Sequence, residues 1–214
     1  HEVNNLLTPI MSQSLLLLEQ LADQEDSPQF ESALDIYEAS ENARETLRRI
    51  SAMGKKDVDI AYQPLDLCSL LRRTANLATM AKDPHIVQET ELPDEPVTVL
   101  GNDRLLTQAF LNICINACQA MGSEGTLTIA AAEELRSGRR YARVEIRDTG
   151  PGIAEEKIGS IYDPFFTTKG EQGTGLGLAI CQKIIESHKG TITAGNQEDG
   201  SGAVFTIRIP VTEA

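Results

Sequence analysis

Tryptophan is absent from this sequence and aromatic residues make up only 4% of it, so any core must be built mainly from Leu, Ile, Val and Ala. Cysteine is scarce too. Cys68, Cys114, Cys118 and Cys181 include no CxxC pair, and Cys114 and Cys118 stand one helical turn apart inside an apolar run. This pattern excludes a disulfide framework and a zinc-ligand set, and it reads as buried, reduced thiols in a cytosolic protein. Long apolar runs are missing. The longest candidate, Leu15-Leu16-Leu17-Leu18, falls far short of the ~18 residues that cross a bilayer, and no signal peptide is expected in this stretch. The expected location is cytoplasmic, with no direct membrane contact by this stretch. Positive charge is in deficit as well, with 19 Lys and Arg against 32 Asp and Glu, a net charge of −13. Acids spread along the whole chain repel phosphate backbones and anionic lipid heads, so no nucleic-acid partner is expected. A small anionic ligand gripped locally by backbone donors and a metal ion is still compatible with that charge.

What is present divides in two. The chain has 214 residues and 41% hydrophobic content, enough for one ordinary domain and a smaller one. Val3, Leu7, Ile10, Ser14, Leu17 and Leu21 follow alternating steps of four and three, a heptad seam on a helix from Glu2 to about Leu21 that Pro9 should bend. After a polar turn, a second helix is expected from Pro28 to Met53, with Leu34, Ala43, Leu47 and Ile50 inward. Two such helices make a hairpin that cannot cover its own seam, so pairing with a second copy into a four-helix bundle is the natural solution. The sequence starts abruptly at His1 inside this helix, which suggests an excised fragment whose upstream sensor region, and any membrane anchor there, has been cut away.

From about residue 57 the texture changes. Strands are expected at Val58–Gln63, His85–Leu92, Val97–Leu100, Thr126–Ala132, Tyr141–Arg147, Gly190–Ala194 and Ala203–Ile209. Helices are expected at Asp66–Met80, Asn102–Met121 and Leu176–His188. The fold class is therefore α+β: a helical hairpin (1–56) followed by an α/β sandwich (57–214), helices on one face of a mixed sheet.

Three constellations carry chemistry. Gly173-Thr174-Gly175-Leu176-Gly177 stands directly ahead of a helix, where glycines allow close backbone approach and the helix aims free amides at an anion. A steric Gly-rich turn is the alternative. Asp148-Thr149-Gly150-Pro151-Gly152 ends a strand, and a buried carboxylate there accepts a hydrogen bond from an exocyclic amine, which adenine offers and guanine does not. An ordinary Asp-Gly turn is the alternative. Asn112 and Asn116 lie four apart on one face of an otherwise apolar helix. Amides there need partners, and Mg²⁺ takes one or two such carbonyls together with phosphate oxygens. Satisfied core asparagines are the alternative.

Asn112-xxx-Asn116, Asp148-x-Gly150-x-Gly152, Asp163-Pro164-Phe165-Phe166 and Gly173-x-Gly175-x-Gly177 come in the order of the N, G1, F and G2 boxes. They resemble the ATP-binding domain of the histidine-kinase, gyrase, heat-shock chaperone and mismatch-repair ATPase superfamily. The resemblance covers nearly all of Val58 to Pro210 and implies a Bergerat-type sandwich that binds ATP and Mg²⁺. It implies Asp148 on adenine, Asn116 on the metal, and a mobile lid between Phe166 and Gly173. It adds Phe166, Thr174, Leu176 and, on the last strand, Thr206 as nucleotide contacts. Lys169 is a phosphate-contact candidate, with a solvated exposed lysine as the alternative. Hydrolytic members carry a glutamate base four residues before the metal asparagine; here Asn112 stands there, which favours transfer over hydrolysis.

His1-Glu2-Val3-Asn4-Asn5-Leu6-Leu7-Thr8-Pro9-Ile10 resembles the H box of dimeric histidine kinases, with Leu6 where proline is usual. The resemblance implies His1 as phospho-acceptor, Glu2 as the base that orients it, and Asn5 as the group that places a water for dephosphorylation of a partner. It further implies a homodimer and transfer to an aspartate of a response-regulator receiver domain. The H box ending in Leu7-Thr8-Pro9-Ile10 and the short Thr167-Thr168-Lys169 lid look most like the nitrogen-regulatory sensor-kinase branch. Two other readings stay open: an ATPase or serine kinase of the same superfamily, and a non-catalytic nucleotide-binding scaffold. An incidental histidine is the alternative for His1.

Overall fold

The structure is a computed structural model that describes residues 2–21, 27–37, 39–40, 61–168, 174–198, 200 and 202–212. The chain divides into two compact units, His1–Val58 and Asp59–Ala214.

In the first unit α1 spans Glu2–Gln20 and runs through Pro9, and α2 is helical over residues 28–37. The buried side of α1 carries Met11 and Ser14, with Leu7, Leu18 and Leu21 half-buried, so the steps of four and three are kept. The seam is turned from the expected one, however. Ile10 and Leu17 are 45% exposed and their C-terminal neighbours Met11 and Leu18 take the inner places. Ser14 caps its own turn by donating to the carbonyls of Ile10 and Met11, which removes the cost of burying its hydroxyl. On α2, Ala33 is inward and Leu34 exposed, the reverse of expectation; Ala43, Leu47 and Ile50 lie outside the described residues. The result is an exposed apolar stripe of Ile10, Leu15, Leu16 and Leu17 on α1 and Leu34 and Ile36 on α2.

The second unit is a helix-covered sheet. Its strands are β1 (Gln63–Asp66), β2 (Ile86–Glu91), β3 (Thr98–Gly101), β4 (Gly125–Arg136), β5 (Arg139–Asp148), β6 (Thr191–Asn196) and β7 (Ala203–Pro210). Its helices are α3 (Leu67–Ala81), α4 (Asp103–Met121), the short α5 (Glu155–Ile158) and α6 (Gly177–Ser187). The main sheet has order β2-β4-β5-β7-β6, parallel between β2 and β4 and antiparallel elsewhere, while β1 and β3 form a separate antiparallel pair. Strand alternation sorts the faces. Leu127, Ile129, Ala142, Val144, Ile146, Phe205, Ile207 and Ile209 are buried on the side that α3, α4 and α6 cover. Each fully buried Leu or Ile contributes roughly 1.5–3 kcal/mol. The other face carries Glu91, Glu134, Glu145, Arg143, Arg147 and Arg208 in a chain of ion pairs, with Arg208 Nε 2.6 Å from Glu134 Oε1.

Local signals explain most boundaries. Asp66 caps α3 by accepting from the Cys68 N–H at 3.0 Å, and Asn102 caps α4 through the Leu105 N–H at 3.0 Å. The β4–β5 hairpin turns on Ser137 and Gly138 alone, at φ 51° and 77°, the two-residue left-handed turn that matches strand twist. The first strand of this unit is shifted from the expected Val58–Gln63. Ala61 and Tyr62 are irregular and pairing with β3 begins at Gln63, because Asp66 ends the strand by capping the helix that follows it.

His188, which the sequence gave no role, is a structural residue. It is 4% exposed and ends α6, where its Nε2 accepts from the Asn102 N–H at 3.0 Å and its Nδ1 lies 2.7 Å from the Ile184 carbonyl. Both contacts hold together only with the neutral ring protonated on Nδ1. Burial lowers its pKa, with the bond to Ile184 opposing that shift. The folded state therefore takes up a proton less readily than the unfolded chain, so its contribution is full above about 6.5 and lost as pH falls below it. Thermal midpoints should fall as the pH is lowered from about 7 to about 5, and His188→Gln should flatten that slope. An identical slope in the variant would remove His188 as its source.

Candidate active site

Asp148 ends β5 on the buried face, 3% exposed. Its Oδ1 accepts from the N–H groups of Gly150 at 2.9 Å and of Ala203 at 3.3 Å. Among the described residues no protein donor bonds Oδ2. Burial pushes its pKa up, and the two main-chain bonds oppose that shift. The carboxylate is thus a desolvated acceptor with one oxygen available to a donor, which is what an exocyclic amine requires.

The loop after Asp148 is fixed from the far end of the sheet. Asn196 on β6 grips Ile153 at two points, accepting from its N–H at 2.7 Å and donating to its carbonyl at 2.8 Å. Gln197 donates to the Asp148 carbonyl at 2.7 Å. Gly202 passes so close that a Cβ there would lie 1.9 Å from the Asp148 carbonyl oxygen, and its φ of 98° suits glycine alone. Sequence reading singled out none of Asn196, Gln197, Gly202 and Ala203 for this site. The sequence puts Gly202 just ahead of an expected strand, but only strand pairing shows what it faces. A shallow cleft lined by Met121, Glu124, Thr149, Gly150 and Pro151 opens beside the same loop; it includes neither Asp148 nor Asn116.

A second arm of the site is formed by α4 and α6, which pack together. Asn116 faces the start of α6, with its Nδ2 3.8 Å from where a Cβ of Gly177 would stand. The Asn112 amide on α4 acts on the Cys181 thiol of α6, opposing the rise that burial gives its pKa. Leu176 occupies the N-cap of α6 and makes no side-chain cap bond, so its side chain does not compete for the first N–H groups of that helix. The Leu176 side chain itself is 1% exposed, a core group whose backbone alone borders the site. Ahead of it, the Phe165 N–H donates to the Gly175 carbonyl at 3.0 Å. A Cβ on Gly175 would lie 2.3 Å from the Phe165 carbonyl carbon, so glycine is required there. This contact clamps the two stems of the intervening segment, which Phe166 and Thr174, both half-buried, enter and leave.

Several expected residues are not brought in. Thr206 pairs with Glu145 across β7 and β5, on the sheet face opposite Asp148, so period-two alternation directs it away from the carboxylate. From β7 it is the Ala203 N–H that reaches Asp148. Lys169, Gly173 and His1 lie outside the described residues, and the first turns of α1, with Glu2 and Asn5, are described in backbone only. All four cysteines are free and buried, and burial pushes the Cys114 and Cys181 thiols up to about 12, which makes them inert at neutral pH. Among the described residues no group of three or more His, Cys, Asp or Glu forms a metal cluster, and no helix is long and apolar enough to cross a membrane.

A mixed sheet with helices on one face, a strand-end aspartate beside two glycines, an asparagine helix and a clamped glycine loop together define one class of nucleotide-binding ATPase. The chain belongs to the histidine kinase-, DNA gyrase B-, and HSP90-like ATPase family, which it matches over residues 101–213. It is 36% identical to the sensor histidine kinase ZraS of Escherichia coli over 157 residues, 73% of this chain and 32% of that protein. Sporulation kinase C of Bacillus subtilis is 30% identical over 213 residues, 99% of this chain and 47% of the relative. The solved structure of histidine kinase ThkA in complex with the response regulator protein TrrA is similar with a TM-score of 0.70 at 26% identity, covering 99% of this chain and 60% of that one. The chain spans about a third to a half of the length of these curated relatives.

Replacing Asp148 separates binding from folding. Asp148→Asn keeps an oxygen for Gly150 and Ala203 but removes the desolvated charge and presents a donor to the adenine amine. The thermal midpoint should stay level or rise, while ADP affinity measured by calorimetry should fall about ten- to a hundredfold, as for loss of a charge-assisted bond. Unchanged ADP affinity would refute the assignment.

Proposed function

We propose that this chain is the core of a sensor histidine kinase that uses Mg²⁺-ATP to phosphorylate a histidine, His1, and passes the phosphoryl group to an aspartate of a response-regulator receiver domain. The observation that carries the nucleotide half is Asp148, a buried carboxylate whose Oδ1 is held by two main-chain donors and whose Oδ2 remains for adenine. Gly150 and Gly152 shape the wall beside the base. Gly173, Gly175 and Gly177 with the start of α6 would hold the phosphates, and Lys169 would add a charge from the lid. Asn116, beside the first turn of α6, would hold Mg²⁺ through its carbonyl oxygen, a hard donor of the kind that ion takes. When bound, the ion neutralises charge on the phosphates; the protein's own part is positioning. Asn112 in place of a basic glutamate supports transfer over hydrolysis, since a neutral amide cannot take a proton from water.

The acceptor half rests on the H-box residues of α1. Neutral imidazole is a competent nucleophile, Glu2 would orient it and accept its second proton, and Asn5 would place a water during regulator dephosphorylation. The exposed apolar stripe on α1 and α2 supports a homodimer through the hairpin, and similarity to a kinase solved with its regulator supports the receiver-domain partner. The H-box ending and short lid support a place near the nitrogen-regulatory branch, and the reading puts this core in the cytoplasm.

Incubating the full-length protein with Mg²⁺ and γ-³²P-ATP should label it, with label that is lost in acid and absent from His1→Gln. Acid-stable label, or label that persists in the variant, would refute His1 as acceptor and favour a serine kinase. Asn5→Ala should spare autophosphorylation while slowing release of phosphate from the regulator at least about tenfold, the low end for one positioned group. Equal loss of both steps would contradict that division of roles.

A further inference from the structure

Asn196 is the last residue of β6 and stands opposite Ala203 on β7. Strand alternation puts it on the face of the buried Ile192, the same face on which the Ala203 N–H meets Asp148. Its amide is joined twice to one residue. Oδ1 accepts from the Ile153 N–H at 2.7 Å and Nδ2 donates to the Ile153 carbonyl at 2.8 Å. Only a primary amide offers an acceptor and a donor side by side in this way, and a flipped amide would set donor against donor and acceptor against acceptor.

The room for this amide comes from Gly152. A Cβ at Gly152 would stand 2.7 Å from Asn196 Oδ1, and its φ of 74° is in the left-handed region. The second glycine of the loop therefore accommodates a side chain of the protein itself. The loop has little stiffness of its own, since Gly150 and Gly152 flank Pro151, which has no N–H to donate. Its upstream end is held where Thr149 Oγ1 accepts from the Thr126 N–H at 2.9 Å and Asp148 Oδ1 accepts from the Gly150 N–H at 2.9 Å. Downstream, α5 begins at Ala154 with no side-chain cap. The Asn196 clasp on Ile153 holds that second end.

We propose that Asn196 is a positioning residue for nucleotide binding: by tying Ile153 to the end of β6, it sets the Gly150–Ile153 wall in advance in the conformation that receives the base. This rests on the nucleotide reading given above. A loop ordered beforehand does not have to be ordered when the ligand arrives, so the clasp is expressed as affinity.

The test uses Asn196→Ala, which removes both bonds, and Asn196→Asp, which keeps the shape and the acceptor but turns a carboxylate oxygen toward the Ile153 carbonyl. Both should weaken Mg²⁺-ADP binding in calorimetry about three- to thirtyfold, within the range of one or two neutral hydrogen bonds. Calorimetry is run well below each variant's thermal midpoint, so that only folded molecules are compared. Without nucleotide, amide hydrogen exchange across the segment that carries Ile153 should quicken in both variants, while β5 and β7 keep their protection. In the full-length kinase the KM for ATP should rise by a similar factor and kcat should stay within about twofold. An asparagine that only fills space would tolerate the isosteric Asn196→Asp, and one that only stabilises the fold would lower the midpoint and leave the affinity of folded molecules unchanged. Either result overturns the proposal, as does a fall in kcat at unchanged KM. A wild-type protein that binds no Mg²⁺-ADP overturns the nucleotide reading itself, and is recognised before any variant is compared.

Discussion

Burying a carboxylate at the end of a central strand is unfavourable unless donors meet it. In this chain the donors for Asp148 come from both sides of the β5–β7 pair: one from Gly150 just downstream, the other from Ala203, which reaches it only when β7 lies in register. Gly202 must be bare of a side chain for that register to be reached, and Gln197 and Asn196 fasten the backbone around it. The geometry of the pocket wall is thus a by-product of sheet pairing. Under the proposed function, base selection by Asp148 begins with the strand register rather than with the loop.

How much of this the sequence revealed follows the range of each interaction. The paired glycines of the two loops and the helix starts near Asp66 and Asn102 depend on interactions within a few residues, and such local requirements are legible in one dimension. The strand ranges along β5 and β7 were legible from their β-branched and alternating texture, within two residues of the observed ends. What was not legible is whatever acts across the sheet. Asn196, Gln197 and Ala203 serve a site some fifty positions upstream, as the Gln197 and Ala203 contacts to Asp148 illustrate. Thr206 entered through the resemblance, and the alternation along β7 puts it on the sheet face opposite Asp148. On α1 the heptad rhythm was right but its partner side was off by one residue, since Ile10 against Met11 is a choice between two apolar side chains that composition does not settle. The short α5 escaped notice because a single helical turn leaves no periodicity.

Among the described residues, helices cover the sheet on one side only. On the open side Glu134 and Glu145 bridge Arg143, Arg147 and Arg208, so a chain with strong acidic excess still keeps its exposed strands evenly charged. Pairs this exposed contribute little to stability individually. Their value lies in keeping the open face wet and unattractive to another strand or apolar surface. The cost of a one-sided sheet is a thin core, met here by close packing of α4 and α6 over aliphatic side chains and by buried thiols that act as small apolar groups.

The grip that Ala203 exerts on Asp148 also bears on how the molecule comes together. Residues so distant in sequence meet only once the β4–β5 hairpin has been joined by the C-terminal strand, and forming such non-local pairs late is the slow part of building a sheet. A half-assembled sheet therefore has no finished wall for a purine. A ligand that recognises this wall distinguishes complete molecules from incomplete ones, and by mass action its whole binding free energy is added to the completed fold.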